Sequence, residues 1–171
     1  MTLFYNVHIS KEDVFIDVEK YLKDLKFKIV KQDSSRPWGG FFVIDETQTE
    51  LFIATYFPHL KKEDLQIAQT LSPKILIVAP QKRLSWQYHH RRAEIWKLIG
   101  GKADVVTSDD DEERNHHVLK PGDIIQLKQG ERHRLVGTGQ WGIVAEIWQH
   151  TQEDHPSDED DIIRVQDDFG R

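Results

Sequence analysis

Nine histidines and no cysteine stand among the 171 residues of the chain. Histidine is the commonest metal ligand and the side chain that titrates nearest neutral pH. Any metal held here must therefore rest on nitrogen and oxygen alone. Most of the nine are dispersed. His8, His59, His150 and His155 each stand alone and read as ordinary polar residues, and His116 and His117 follow an acidic run as exposed strand-end residues. His89 and His90 lie in QYHHRRAEIW, and His133 lies in KQGERHRLVG. On a strand, Gln87 and His89 project to one face and His90 to the other. Glu94 follows after a gap that admits a tight turn. Imidazole, carboxylate and amide groups gathered in this way are the nitrogen and oxygen donors that can hold a divalent ion.

Such a set needs a scaffold of short strands, and the sequence supplies one. Phe41–Ile44 reads as a strand opened by the loop Arg36-Pro37-Trp38-Gly39-Gly40. From Ser72 onward β-rich runs recur at Ile75–Ala79, Leu84–Tyr88, Ile95–Ile99, Ala103–Thr107, His117–Leu119, Ile124–Leu127, His133–Val136 and Ile143–Trp148. Gly, Pro and charged turns separate them, the pattern of an antiparallel sandwich or barrel. Ahead of the strands, Ser10 with Asp13 resembles a capping box for a helix carrying Val14, Val18, Tyr21, Leu22 and Leu25, and an extended segment follows it. Thr47 with Glu50 predicts a second, short helix halted by Pro58, and Lys61–Leu71 is too mixed to assign. The run Asp109–Glu113 reads as a solvated hairpin loop and Glu153–Asp161 as an exposed connector.

Composition narrows the function classes. The net charge of -6 argues against broad nucleic-acid binding, which needs a basic face. Length suits one domain with a real core. No apolar run reaches the roughly 18–20 residues of a bilayer span, and MTLFYNVHISKED lacks a signal-like pattern, so the expected setting is cytoplasmic and away from membranes.

The fragments around His89 and His133, in this order, resemble the two motifs of the cupin superfamily. The first joins a His-x-His pair, an acid and a closing glycine, here Gln87, His89, Glu94 and Gly101; the second joins Gly122, a turn ending at Gly130, and His133. Glutamine in the first histidine place narrows the resemblance. Leu84, Ser85, Gln87, His89, His90, Arg92, Ala93, Glu94 and Trp96 look like the signature of type II mannose-6-phosphate isomerases. Arg36-Pro37-Trp38-Gly39 and the ending Glu159–Arg171 match two further stretches of that family. The resemblance covers about residues 36–45 and 73–171. Departures are Gln81 for a glycine, Lys128 for a proline, and Arg91 and Ile95 where histidines are common.

The resemblance implies a mainly β cupin, a double-stranded β-helix or jelly-roll barrel, over 36–171. It would carry an N-terminal helical extension over 1–35 and a short helical insertion at about 46–72. It implies a metal-dependent aldose–ketose isomerase that acts on a sugar phosphate, mannose 6-phosphate to fructose 6-phosphate, through an enediolate, and that forms a homodimer. The metal set would be Gln87, His89, Glu94 and His133, two imidazoles, a carboxylate and an amide oxygen, suited to one divalent ion, zinc first, with manganese, iron, nickel or cobalt also accommodated and open positions left for water or substrate. Arg83, Arg92 and Arg164 are candidates for holding the phosphate, with Arg134 and Arg171 beside them, because a guanidinium fork matches that group. Trp38 could wall the sugar pocket. The general base is open among a metal-bound hydroxide, Glu131 and a lysine such as Lys102, and Arg134 is a further catalytic candidate. Two other readings are a non-catalytic sugar-phosphate-binding metal cupin, such as a sensor, and a cupin oxygenase, which the Gln-for-His change disfavours.

Overall fold

A computed structural model describes residues 7–65 and 70–171. Residues 1–6, the start of the stretch read for a signal pattern, and residues 66–69 of the unassigned stretch lie outside the described part. The elements are α1 (Lys11–Asp24), β1 (Ile29–Asp33), β2 (Gly39–Ile44), a 3-10 turn (Glu46–Gln48), α2 (Thr49–Tyr56), α3 (Lys62–Leu65), β3 (Lys74–Val78), β4 (Trp86–Tyr88), β5 (Arg92–Ser108), β6 (Asn115–Leu119), β7 (Ile124–Leu127), β8 (Arg132–His150) and β9 (Ile163–Gln166).

Two pairs of expected strands are in fact two long strands. β5 unites Ile95–Ile99 with Ala103–Thr107, and β8 unites His133–Val136 with Ile143–Trp148. The glycines that read as turns are corners instead. The register of β5 against β8 slips between Leu98 and Gly100 and again between Gly101 and Ala103, and Gly101 faces Gly142 there. Each long strand bends at this corner and serves two sheets. One sheet runs β1-β2-β3-β8-β5-β7 through the C-terminal half of β8 and the N-terminal half of β5. The other runs β9-β4-β8-β5-β6 through the opposite halves. This is the antiparallel jelly-roll barrel of a cupin. β9 was not expected as a strand, because Ile163–Gln166 is exposed at every position and carries no burial pattern to reveal it.

Strand alternation sorts the core into two layers. Inward-facing Phe41, Leu76, Trp96, Leu98, Val105, Leu135 and Val144 fill the barrel. Their neighbours Phe42, Ile75, Ile77, Ile95, Ile143, Ala145 and Ile147 face outward, yet they too are buried. α1 and α2 cover them with Val14, Phe15, Val18, Leu22, Phe52, Ile53 and Tyr56. α1 and α2 thus share one outer core, which explains why β3 reads as an apolar run from Ile75 onward. Ser10 caps α1 as the sequence indicates, its Oγ accepting from the Asp13 N–H at 3.1 Å. The second cap differs: Asp45 accepts from Thr47 N–H and opens the 3-10 turn, and α2 begins only at Thr49. No described helix is long and apolar enough to cross a membrane.

Candidate metal centre

The inner wall of the first sheet holds the polar exceptions to that apolar alternation. Arg92, Glu94 and Trp96 on β5, Glu146 and Trp148 on β8, and Lys74 on β3 share the inward phase, and all six are buried. β4 brings Gln87 and His89 from the second sheet, and β8 enters it through His133, which pairs in register with Gln87.

His89, Glu94 and His133 place one ligand atom each within 4.8 Å of one another, all three fully buried. Hydrogen bonds fix both rings. His89 Nδ1 lies 2.6 Å from the Asp161 carbonyl and His133 Nδ1 lies 2.9 Å from the Glu131 carbonyl. A carbonyl only accepts, so each Nδ1 carries the proton and each Nε2 presents a lone pair to the centre. Arg92 agrees, because its always-protonated Nη2 sits 3.2 Å from His89 Nε2. The lone pairs meet a carboxylate: His89 Nε2 is 3.2 Å from Glu94 Oε1, and His133 Nε2 is 3.4 Å from Glu94 Oε2. Glu94 Oε2 and His133 Nε2 have no hydrogen-bond partner among the described residues. Buried acceptors that converge without a donor are costly, and a cation is the species that satisfies them together. Carbonyl-anchored imidazoles are also the second-shell arrangement of metal-ligating histidines. The residues fit a divalent ion held by His89, Glu94 and His133.

Electrostatics point the same way. Burial pushes the His89 imidazolium down and keeps the ring neutral, a ligand's state. Burial opposes ionisation of Glu94, but the Arg92 guanidinium beside it holds its carboxyl well below the usual range. Gln87 opens onto the same cavity, its Oε1 accepting from Ser85 Oγ at 2.6 Å.

The cavity has a volume of about 440 Å³, with Gln87, Arg92, Glu94 and Trp96 on its walls. Trp38 and Arg164 line it as well, together with Arg36 and Arg171. Arg92 is occupied: it donates to Glu94 Oε1 at 2.7 Å, to Ser157 Oγ at 2.8 Å and to the Asp158 carbonyl at 3.0 Å, and it stacks 3.7 Å over Trp148. Four sequence candidates lie off the cavity wall. Arg83 forks onto Asp168, at 2.6 and 3.0 Å. Arg134 is fully buried against the Leu84 carbonyl and Glu113. Lys102 follows the Gly101 corner and faces solvent. The Glu131 carboxylate accepts from Lys128 N–H and closes its own turn.

Three residues that matter here escaped sequence reading. Ser157 and Asp161 lie in the stretch expected to be an exposed connector, yet both are buried against the centre. The Asp161 carboxylate accepts from His90 N–H at 2.9 Å, Arg91 N–H at 3.0 Å and Ser157 Oγ at 2.6 Å. Acidic composition masks this role, because the two acids beside Asp161, Glu159 and Asp160, are exposed. Glu146 is the third. It sits between Lys74 and Trp96 in register, and its Oε1 accepts from the Trp96 indole at 3.0 Å. Burial first, and then the Glu94 charge, push its carboxyl up to about 8. The available signal was an acid in the inward phase of the apolar run Ile143–Trp148. His150, read as ordinary, is buried between Thr70 Oγ1 and the Ser157 N–H and serves packing.

Comparison with known proteins agrees with this architecture. The chain is 29% identical over 168 residues to the alginate biosynthesis protein AlgA of Pseudomonas aeruginosa, covering 95% of this chain and 29% of that protein. It is 28% identical over 170 residues to a mannose-1-phosphate guanylyltransferase of Escherichia coli, covering 96% of this chain and 30% of that one. The chain therefore spans less than a third of the length of these curated relatives. Among solved structures, the capsular polysaccharide assembling protein CapF of Staphylococcus aureus superposes with a TM-score of 0.56 at 12% identity, over 80% of this chain and 34% of that chain, a likeness of fold alone. Residues 47–167 match the family described as Mannose-6-phosphate isomerase C-terminal, and on that match the chain belongs to this family of cupin domains.

Proposed function

We propose that the protein is a metal-dependent aldose–ketose isomerase of sugar phosphates, with mannose 6-phosphate to fructose 6-phosphate as its reaction. The observation that carries this reading is the pair of Nε2 lone pairs, on His89 and His133, fixed toward the buried Glu94 carboxylate beside a substrate-sized cavity. A bound divalent ion, zinc in this proposal, would act as a Lewis acid that polarises the sugar carbonyl and its neighbouring hydroxyl. His89, Glu94 and His133 would hold that ion, with Gln87 as a neutral fourth ligand. Two neutral rings, a neutral amide and one carboxylate leave a net positive centre, suited to an anionic enediolate.

The chain's own residues carry the rest. Isomerisation moves a proton between C1 and C2, and Glu146, a buried carboxyl on the cavity wall, would take and return it. A carboxyl pushed up toward neutrality matches that task. Trp38 and Trp148 would wall the sugar and keep water out. The proposal includes a cytoplasmic setting and a homodimer.

Purified protein assayed for bound metal and for mannose 6-phosphate conversion tests the reading. The expected result is one ion per chain and turnover in the wild type, with metal and turnover both lost in His133→Ala. Turnover in Glu146→Gln should fall at least about a hundredfold if it handles the proton. Metal binding without turnover on any hexose or heptose phosphate would instead identify a binding module. Absence of metal after loading would refute the centre.

A further inference from the structure

We propose that the groove at the corner end of the barrel, between Lys102 on β5 and Lys120 just after β6, is a second binding site, for a small carboxylate with an apolar body. It depends neither on the metal centre nor on the proposed reaction. The groove has a volume of about 310 Å³, the size of a small-molecule site, and shares no lining residue with the cavity beside the metal centre. Gly101 borders it, about 20 Å along β5 from Glu94 at about 3.3 Å per residue.

The groove exists because the two sheets are covered unequally. α1 and α2 cover the outer face of the first sheet. The second sheet has a cover at one end only, where the hairpin Asp109–Glu113 folds back onto outward-facing arginines of β8. Arg132 donates there to the Asp111 carboxylate at 2.8 Å, and Arg134 donates to Glu113. At the other end β6 is left bare. Val118, in register with Asp104 on β5, is 72% exposed, the most exposed large hydrophobic among the described residues. A lone exposed valine is ordinary, but an apolar surface that continues into a concavity is not. Here Leu119 and Pro121 carry the surface of Val118 into the groove and form its floor.

The charges at its sides are unspent. Lys102 and Lys120 are both exposed, and among the described residues neither ammonium has a hydrogen bond or an ion pair. The Asp123 carboxylate, in the turn after Lys120, accepts from that lysine's main-chain N–H at 2.9 Å. Asp104, the acid that lines the groove, is engaged by His116, whose Nε2 lies 2.8 Å from its Oδ2. On a chain of net charge -6, two unengaged ammonium groups beside an apolar floor select an anion. Lysine is a mobile point charge with three donors, which suits a single carboxylate. The floor adds burial of an apolar body, which a bare inorganic anion cannot use.

Hexanoate is the probe, titrated into the full chain and followed by backbone amide resonances. The wild type should show saturable shifts at Gly101 and Leu119, with Gln87 and Arg164 unmoved. Hexanol, without the charge, should bind about tenfold more weakly, and hexylamine should not bind. Lys102→Gln combined with Lys120→Gln should weaken hexanoate by about tenfold and leave hexanol unchanged. Val118→Asp should abolish both. These three positions are exposed, so unchanged urea midpoints are expected, and Val118→Ser is held to the same criterion should the aspartate destabilise the chain. Absence of saturable shifts in the wild type would overturn the site. So would shifts confined to Gln87 and Arg164, equal binding of hexylamine, or hexanoate affinity untouched by the lysine pair. Self-association abolished by Val118→Asp, in a wild type that ignores hexanoate, would assign the patch to a second copy of the chain instead.

Discussion

Arg92 Nε and Glu94 Oε1 lie 2.7 Å apart, two residues from each other on the inward phase of β5 and both buried. A fixed positive charge therefore holds one oxygen of the carboxylate that faces both histidines. Removing one member of a buried pair strands the other and costs about 3–5 kcal/mol. Arg92→Met should lower metal-free stability by about that amount, read as a shift in urea midpoint. Added divalent metal should recover part of the loss, because the ion gives Glu94 a new counter-charge. An unchanged midpoint in the metal-free variant would show that the pair contributes nothing.

Glu146 ties stability to pH. Its folded carboxyl is pushed up to about 8, above the roughly 4.3 of an unfolded glutamate. Below the unfolded value both states are protonated and no penalty exists. As pH rises from about 4.5 toward 8 the unfolded chain ionises and the folded one does not, so the native state loses ground. The slope approaches about 1.4 kcal/mol per pH unit in mid-window. Glu146→Gln keeps an oxygen for the Trp96 indole and has nothing to ionise. In metal-free protein its melting temperature should gain on the wild type steadily between pH 5 and 8. A pH-independent difference would mean that Glu146 ionises normally.

The centre was legible in the sequence because β-strand period and short turns alone bring Gln87, His89 and Glu94 together, and a register pair adds His133. The barrel was legible in its strand content but not in its strand count. Gly100-Gly101 and Gly139 are turn signals by composition, yet here they bend strands that continue through the corner. The outer core was hidden differently: α1 and α2 show helical spacing, but nothing local states which surface they cover. Asp161 and Ser157 were hidden most deeply, because burial of an acidic segment depends on what lies beneath it. Here that is His90, Arg91 and Arg92, whose donors await acceptors.

Asp161 positions His89 without touching the centre itself. Its carbonyl holds the ring's Nδ1, and its carboxylate clamps the two N–H groups that follow His89 in the chain. Losing such an outer partner typically costs 10–100-fold in metal affinity. Asp161→Ala keeps the main-chain carbonyl on His89 Nδ1 and removes the carboxylate clamp that fixes it, so metal binding should weaken toward the low end of that range, by about tenfold, while His89, Glu94 and His133 remain, as metal titration against a chelator would measure. The same carboxylate is held below its ordinary range: burial opposes this, and the Ser157, His90 and Arg91 donors outweigh it. Its contribution is therefore complete above about pH 4–5 and is lost as pH falls through the depressed value. The variant and the wild type should converge in stability under acid. A variant with undiminished metal affinity would remove Asp161 from the positioning machinery.

The corner that lets β5 serve two sheets rests on Gly101. Its φ is +67°, and a Cβ there would meet the Trp141 carbonyl oxygen at 1.7 Å, backbone that cannot rotate away. The unfavourable dihedral alone costs about 1–3 kcal/mol, and relieving the clash must part β5 from β8 where both sheets depend on their pairing. Gly139 lies on the same bend of β8 and a Cβ there meets nothing within 4 Å. Gly101→Ala should therefore destabilise the barrel by more than about 2 kcal/mol, whereas Gly139→Ala should change it by less than about 1 kcal/mol. The strain also reaches the centre, since Glu94 and Thr107, the register partner of His133, lie on opposite sides of this corner. Metal affinity should fall in Gly101→Ala and hold in Gly139→Ala. Equal urea midpoints and equal affinities for the two variants would refute the corner's role.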